Sequence, residues 1–340
     1  MKDKLNVAVV GATGMVGEAM LNILAERNFP VGRLHALASE RSLGKTVQYG
    51  SKEIPCEVLE DHDFSDTDIA LFSAGGDISA EHAPRAGAAG CVVIDNTSHF
   101  RMDEDVPLIV PEVNPQAIAG YTARNIIANP NCSTIQMVVA LQPIYEEAGI
   151  ERINVATYQA VSGAGRTAVE RLARQTATLL NGRPLEAEGD EKQIAFNAIP
   201  QIDVFLDNGY TKEEMKMVWE TRKIFDDQAI QVNPTAVRIP SFIGHSEALH
   251  IETRDKISAV RVRELLEDAE GIQVIDQAKM GGYPTAVTEA SGTDPVYVGR
   301  IREDISHERG ISLWVVADNV RKGAALNSVQ IAEILVREYL

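Results

Sequence analysis

The chain has 340 residues, too many for one small core and enough for about two domains, and its 45% apolar and 24% charged residues exclude extensive disorder or a fibrous rod. Lys and Arg number 32 against 49 Asp and Glu, a net charge of −17, so the surface field repels nucleic-acid phosphates and anionic lipid, and neither partner is expected. An anionic ligand must then be held by a few placed Arg or Lys residues.

Through the first 130 or so residues short apolar runs alternate with helical patterns, as βαβ units of a parallel sheet require. LNVAVV (5–10), RLHALA (33–38), DIALFSA (68–74), CVVID (91–95) and NIIANP (125–130) read as strands, and 14–28 and 79–90 as helices. The segment 133–149 has helical length and stops at Gly149. Beyond it lie longer strand-like runs at 153–162, 236–240, 247–254 and 296–304, with amphipathic helices at 166–180 and 212–225. ISLWVVADN (311–319) and the helical 324–340 read as a last strand and closing helix returning to the first domain. The expected fold is α/β: a Rossmann-type dinucleotide-binding domain, 1–132 completed by 319–340, with an α+β domain over 133–318. No run of about eighteen apolar residues marks a membrane helix, and the apolar run before Gly11 is too short for a signal-peptide core.

Gly11-Ala12-Thr13-Gly14-Met15-Val16-Gly17 falls where the first strand meets the first helix. Gly11 allows the turn, Gly14 lets backbone approach a pyrophosphate, Gly17 allows close packing, and the helix start at Thr13, Gly14, Met15 and Val16 offers N–H groups to an anion. After the second strand comes Ser39-Glu40-Arg41-Ser42. Glu40 favours NAD through a ribose 2′-OH, whereas Arg41 with Ser39, Ser42 and the nearby Lys45 favours the 2′-phosphate of NADP and outweighs it.

The three cysteines form neither a disulfide framework nor a CxxC pattern, so a reducing cytoplasm is expected and no metal. Cys132 stands in NPNCST at a strand-to-helix junction, where N–H groups and the helix dipole favour a thiolate; Cys56 and Cys91 read as structural. Among seven histidines, His245 in RIPSFIGHSE sits in a Gly/Ser loop and suits proton transfer. His35 and His250 read as strand residues, His62, His82 and His307 as surface groups, and His99 as a weaker loop candidate.

In order along the chain, GATGMVG, SERSLGK, NPNCSTIQ, YQAVSGAGR, WETRKI, RIPSFIGHSEALH and ADN resemble the aspartate-β-semialdehyde dehydrogenase family. The resemblance implies NADPH-dependent reductive dephosphorylation of L-aspartyl-4-phosphate to the semialdehyde through a Cys thioester, in the biosynthesis of lysine, threonine, methionine and diaminopimelate. It implies Cys132 as nucleophile and His245 as acid/base. Arg238 matches the ligand of the α-carboxylate, Gln159 the orienting amide and Glu220 the acceptor for the ammonium. Arg101 and Lys223 match the phosphate ligands. Ser162 and Gly163 match the turn beside the cofactor, and Asn319 a nicotinamide contact. A homodimer is expected on the same ground. N-acetyl-glutamyl-phosphate reductase shares the thioester logic, but its acylated nitrogen leaves Glu220 nothing charged to pair. A non-catalytic dinucleotide-binding relative has no need of Cys132, His245, Gln159 and Arg238 together.

Overall fold

The computed structural model describes residues 4–185 and 192–340. Its contacts divide the chain into two units, one of Met1–Cys132, Lys223–Asp226 and Gly323–Leu340, the other of Ser133–Arg222 and Asp227–Lys322.

In the first unit β1 (Leu5–Val10), β2 (Val31–Ala38), β3 (Thr46–Tyr49), β4 (Lys52–Val58), β5 (Ile69–Phe72), β6 (Val92–Asp95) and β7 (Ile126–Ala128) form one sheet in the order β3-β4-β2-β1-β5-β6-β7. Every pairing is parallel except the β3–β4 hairpin. β1, β5, β6 and β7 are buried almost throughout, as a parallel sheet covered on both faces requires. The helices include α1 (Met15–Glu26), α2 (Gly76–Ala88) and α7 (Leu326–Glu338). Met20, Leu21, Ile23 and Leu24 of α1 share one core with Leu326, Val329 and Leu335 of α7, each buried side chain contributing about 1.5–3 kcal/mol. The chain leaves β1 toward β2 on one side, while β5 lies on the other, so the strand order reverses beside β1 and a ligand crevice belongs at its carboxyl end.

The second unit is built on β8 (Ile150–Gln159), β9 (Gln231–Arg238), β10 (His245–Thr253), β11 (Ile272–Val274), β12 (Val296–Glu303) and β13 (Gly310–Ala317), ordered β11-β12-β13-β10-β8-β9. It carries α4 (Arg166–Leu180), α6 (Ala259–Asp268), α3 (Cys132–Ala148) from its second residue onward, and α5 (Lys212–Ile224) as far as Arg222. α3 is buried nearly all round, which explains its weak amphipathic pattern.

Two features differ from the sequence expectation. The run 311–319 does not close the first sheet: β13 pairs along its length with β10 and also with β12, and the chain rejoins the first unit at Gly323. Strand composition names a strand but not its partner. Second, His82 is buried on α2 and the His62 side chain is only 7% exposed, so neither is a surface group. The sequence reading also passed over β3, β4, β11 and α6. The Gly50-Ser51 turn between β3 and β4, with Gly50 at φ +57°, is the hairpin signal that was there to find. Among the described residues no helix is long and apolar enough to cross a membrane.

The β1–α1 turn depends on missing side chains. A Cβ on Gly17 would stand 2.2 Å from the carbonyl oxygen of Gly11, and Gly11, at φ +83°, packs against the Ser73–Ala74 backbone. Gly17→Ala should therefore cost about 1–3 kcal/mol through displaced backbone. Chemical denaturation should show this loss, and an unchanged midpoint would mean that the turn relaxes freely.

Candidate active site

Neighbouring strands of the second unit end at one edge of their sheet. In the order β13, β10, β8, β9, the register sets Ala317 opposite His245, Ser246 opposite Tyr158 and Gln159 beside Arg238. The carboxyl ends of β13, β8 and β9 and the start of β10 thus bring Asn319, His245, Gln159 and Arg238 together.

Ala160 ties two of them. Its N–H donates to His245 Nδ1 at 3.1 Å, and its carbonyl accepts from Arg238 Nη1 at 2.7 Å. A backbone N–H only donates, so Nδ1 is the acceptor and the neutral ring carries its proton on Nε2. That Nε2 is buried and has no hydrogen-bond partner among the described residues. Burial first, and the Arg238 guanidinium second, hold the imidazole down at about 3 from its ordinary 6.5. A Cβ on Gly163 would lie 3.2 Å from Arg238 Nη1 and 3.6 Å from His245 Nε2, so a glycine there keeps both groups approachable.

Asn319 locks the loops around this edge. Its carboxamide and the Ser162 hydroxyl bond one another, at 3.1 Å through Oδ1 and 2.9 Å through Nδ2, and Oδ1 accepts the Gly244 N–H at 2.8 Å. Gly244, at φ +91°, has no room for a Cβ, which would meet the Ala286 carbonyl oxygen at 2.7 Å. Gln159 Nε2 donates to Glu213 Oε1 at 3.2 Å, and Glu213 Oε2 accepts from Lys216 at 2.9 Å. The same helix carries Glu220, 1% exposed. Thr211 and Glu214 form a reciprocal capping box at its start, the Thr211 N–H donating to Glu214 Oε2 and the Glu214 N–H to Thr211 Oγ1. Glu214 Oε1 also takes the Ala236 N–H of β9, which fixes the helix to the strand that ends in Arg238.

Cys132 ends the first segment of the first unit, opens α3, and is the one cysteine of the three that is not buried. Burial pushes the Cys56 and Cys91 thiols up, so both suit a structural role. The segment before Cys132 is held by asparagines: Asn129 Nδ2 donates to Asn96 Oδ1, Asn129 Oδ1 accepts from Asn327 Nδ2 at 2.7 Å, and the Asn129 carbonyl accepts from Arg101 Nε at 2.9 Å. Arg101 Nη2 bonds the Asn96 carbonyl, and Lys223 Nζ donates to the carbonyls of Arg101, Asp103 and Val106 at 2.6–2.8 Å. Arg101 and Lys223 are thus neighbours, and both already serve the backbone that carries Arg101. Asn96, Asn129, Asn327 and Glu213 were missed in the sequence; only Asn129, inside NPNCST, lay beside a visible motif.

The residues of the first βα turn fit a dinucleotide. α1 begins at Met15 behind Gly14 with no side chain capping its N–H groups, and Gly11, Gly14 and Gly17 leave backbone where Cβ atoms would stand. Ser39, Glu40 and Arg41 are exposed at the end of β2, Arg41 and Glu40 on the same short helical turn, while Ser42 is buried.

Comparison with known proteins finds matches for both parts of the chain. Residues 6–121 match the family model "Semialdehyde dehydrogenase, NAD binding domain" and residues 141–322 "Semialdehyde dehydrogenase, dimerisation domain". The chain is 62% identical to aspartate-semialdehyde dehydrogenase 2 of Vibrio cholerae and 61% identical to the aspartate-semialdehyde dehydrogenase of a Shewanella species, each over the full length of both chains. It superposes on the crystal structure of aspartate semialdehyde dehydrogenase II from Vibrio cholerae complexed with ASA at a TM-score of 0.97, covering 99% of each chain at 62% identity. The enzyme from Candida albicans with NADP, at 24% identity, 98% coverage of each chain and a TM-score of 0.75, shares the fold.

The buried His245 sets a pH dependence. As pH falls from 6.5 toward 3 the unfolded chain takes up a proton that the folded ring refuses, so stability falls with pH over that window. His245→Gln should flatten the decline of the urea midpoint there. Glu247, whose carboxyl burial raises well above its usual 4.5, works with the opposite sign, losing stability as pH rises above 4.5, so Glu247→Gln should steepen the acid decline. Identical pH profiles for wild type and His245→Gln would show that the ring is not held neutral by the fold.

Proposed function

The chain belongs to the aspartate-semialdehyde dehydrogenase family, and from that premise we propose that it reduces L-aspartyl-4-phosphate to L-aspartate 4-semialdehyde with NADPH, through a thioester on Cys132. The observation that carries the residue assignment is the strand register that gathers Gln159, Arg238 and His245 at one edge.

Cys132 Sγ forms a bond to the acyl carbon of the substrate, and the bond from that carbon to the phosphate oxygen breaks. The N–H groups at the start of α3 favour the thiolate and are the expected donors to an oxyanion on the same carbon. Arg101 receives the departing phosphate. Lys223 reaches that phosphate only by releasing a carbonyl, so it contributes chiefly by fixing the Arg101 backbone. Arg238 holds the α-carboxylate through its planar fork, Glu220 the ammonium, and Gln159, braced on Glu213, orients the chain between them. When bound, NADPH supplies the hydride that reduces the thioester; the first βα turn would hold its pyrophosphate, Arg41 with Ser39 and Ser42 its 2′-phosphate, and Ser162, Gly163 and Asn319 its nicotinamide end.

His245 presents its Nε2 proton to oxygen developing on the acyl carbon. A carboxylate on Arg238 cancels part of the charge that disfavours imidazolium, so substrate binding itself shifts the ring toward the form that gives up a proton. Giving up the Nε2 proton and accepting one there in the reverse reaction both require a proton on Nδ1, so in either direction the ring must surrender the Ala160 N–H. The second unit carries the exposed apolar side chains Leu180, Phe196, Val204 and Phe205, in keeping with a homodimer built on the dimerisation domain. Inorganic phosphate as product and a cytoplasmic site of action complete the reading.

Phosphate-dependent NADP reduction should be measured with aspartate semialdehyde and with the N-acetyl-glutamate analogue. Cys132→Ser should lose on the order of 10³-fold or more in kcat while still binding NADPH, and substantial turnover would remove the thioester. Arg101→Ala should raise KM for phosphate, and Arg238→Ala KM for the semialdehyde, each by about tenfold or more, the loss expected for a charge-assisted contact. An Arg238 variant impaired only in phosphate saturation would reverse the assignment.

A further inference from the structure

A second cluster of chemically competent side chains lies in the first unit, apart from the residues assigned above. His35 on β2, Glu57 on β4 and His62 in the turn beyond β4 offer ligand atoms that all lie within 4.8 Å of one another. We propose that these three residues form a site for one divalent transition-metal ion of the Zn²⁺ class, which ties β4 and its following turn to β2.

The geometry is that of converging ligands. His35 Nδ1 is 3.1 and 3.0 Å from the two oxygens of Glu57. His62 Nδ1 lies 3.8 Å from Glu57 Oε2, too long for a hydrogen bond, and its other nitrogen is engaged at 3.1 Å with the buried Thr67 hydroxyl. Two ligands of one tetrahedral ion with bonds of about 2.0–2.1 Å stand roughly 3.3–3.5 Å apart, so small side-chain shifts convert this arrangement into coordination. Thr67 supplies the outer contact that fixes an imidazole ligand's orientation. The ring of His62 is also packed edge-on against Phe64, 4.8 Å between centroids, which holds it in place.

The surroundings suit a cation. The three residues line a cleft of about 340 Å³ that also presents Asp61, Asp63, Asp66 and the Arg33 guanidinium, with the Arg85 guanidinium acting on His62 from over the Phe64 ring. Two imidazoles and one carboxylate leave a fourth position open to water or to one of these aspartates, a donor set typical of Zn²⁺. Two ligands come from strands paired in register, Ala36 with Cys56 and Leu37 with Glu57, and therefore move little.

The test uses full-length protein in the Cys132→Ser background, which removes the one thiol that is not buried, freed of metal with chelator and titrated with ZnCl₂ and with CoCl₂. One equivalent of Zn²⁺ should bind, Co²⁺ should give the visible spectrum of a low-coordinate nitrogen and oxygen site, and Zn²⁺ at about a hundred times its Kd should raise Tm by about 4 °C. His62→Gln and Glu57→Gln, shown to be folded by circular dichroism and NADPH binding, should bind Zn²⁺ about 10- to 100-fold more weakly and lose the Tm shift. No binding, or equal binding by wild type and both variants, would overturn the proposal.

Discussion

Parallel pairing of β8 with β9, unbroken from Arg152 beside Gln231 to Gln159 beside Arg238, constrains the sheet edge that carries the second unit's candidate residues. β10 runs antiparallel on the other side of β8 and places His245 at the same end, with Ala317 opposite it on β13. Side chains alternate faces along a strand, so slipping one strand by one residue would turn its functional group to the opposite face. The buried inner faces of these strands make such a slip costly. Site geometry is in this sense a by-product of core packing: Ile153, Val155, Leu249, Ile251, Leu313 and Val315 are buried along the same strands.

Electrostatics works in the other direction. A chain of net charge −17 must bind an anionic substrate and an anionic cofactor, and the cations assigned to that task in the proposed function each also donate to backbone carbonyls. Arg238 rests on the Ala160 carbonyl, Arg101 on the carbonyls of Asn96 and Asn129, and Lys223 on three carbonyls. A carbonyl orients a cation without cancelling its charge.

Much of this was legible in the sequence because the motifs coincide with changes of secondary structure. GATGMVG sits where β1 becomes α1, and NPNCST where β7 gives way to α3, so glycine and asparagine chemistry reported the local geometry directly. The partner of β13 was not legible, since ISLWVVADN would suit either sheet and only long-range register decides. Glu213 is hidden for a similar reason: it lies in a charged helix where nothing local marks it as the carboxylate that meets Gln159. His35, Glu57 and His62 lie on separate elements, and no spacing rule links two residues joined only by parallel strand pairing.

The first unit is discontinuous, and its final piece is Gly323–Leu340. α7 contributes Leu326, Val329, Ile331, Ala332 and Leu335 to the same apolar core as β1 and α1. During synthesis, which proceeds from the amino terminus at about 5–20 residues per second, the ribosome delivers the whole second unit before that core is complete. The dinucleotide-binding half is therefore the first to be started and the last to be finished. A nascent chain exposes the apolar faces of β1 and α1 while the second unit already has all its strands, so a stall or truncation before Gly323 would leave an open, adhesive amino-terminal sheet beside a finished carboxyl-terminal one.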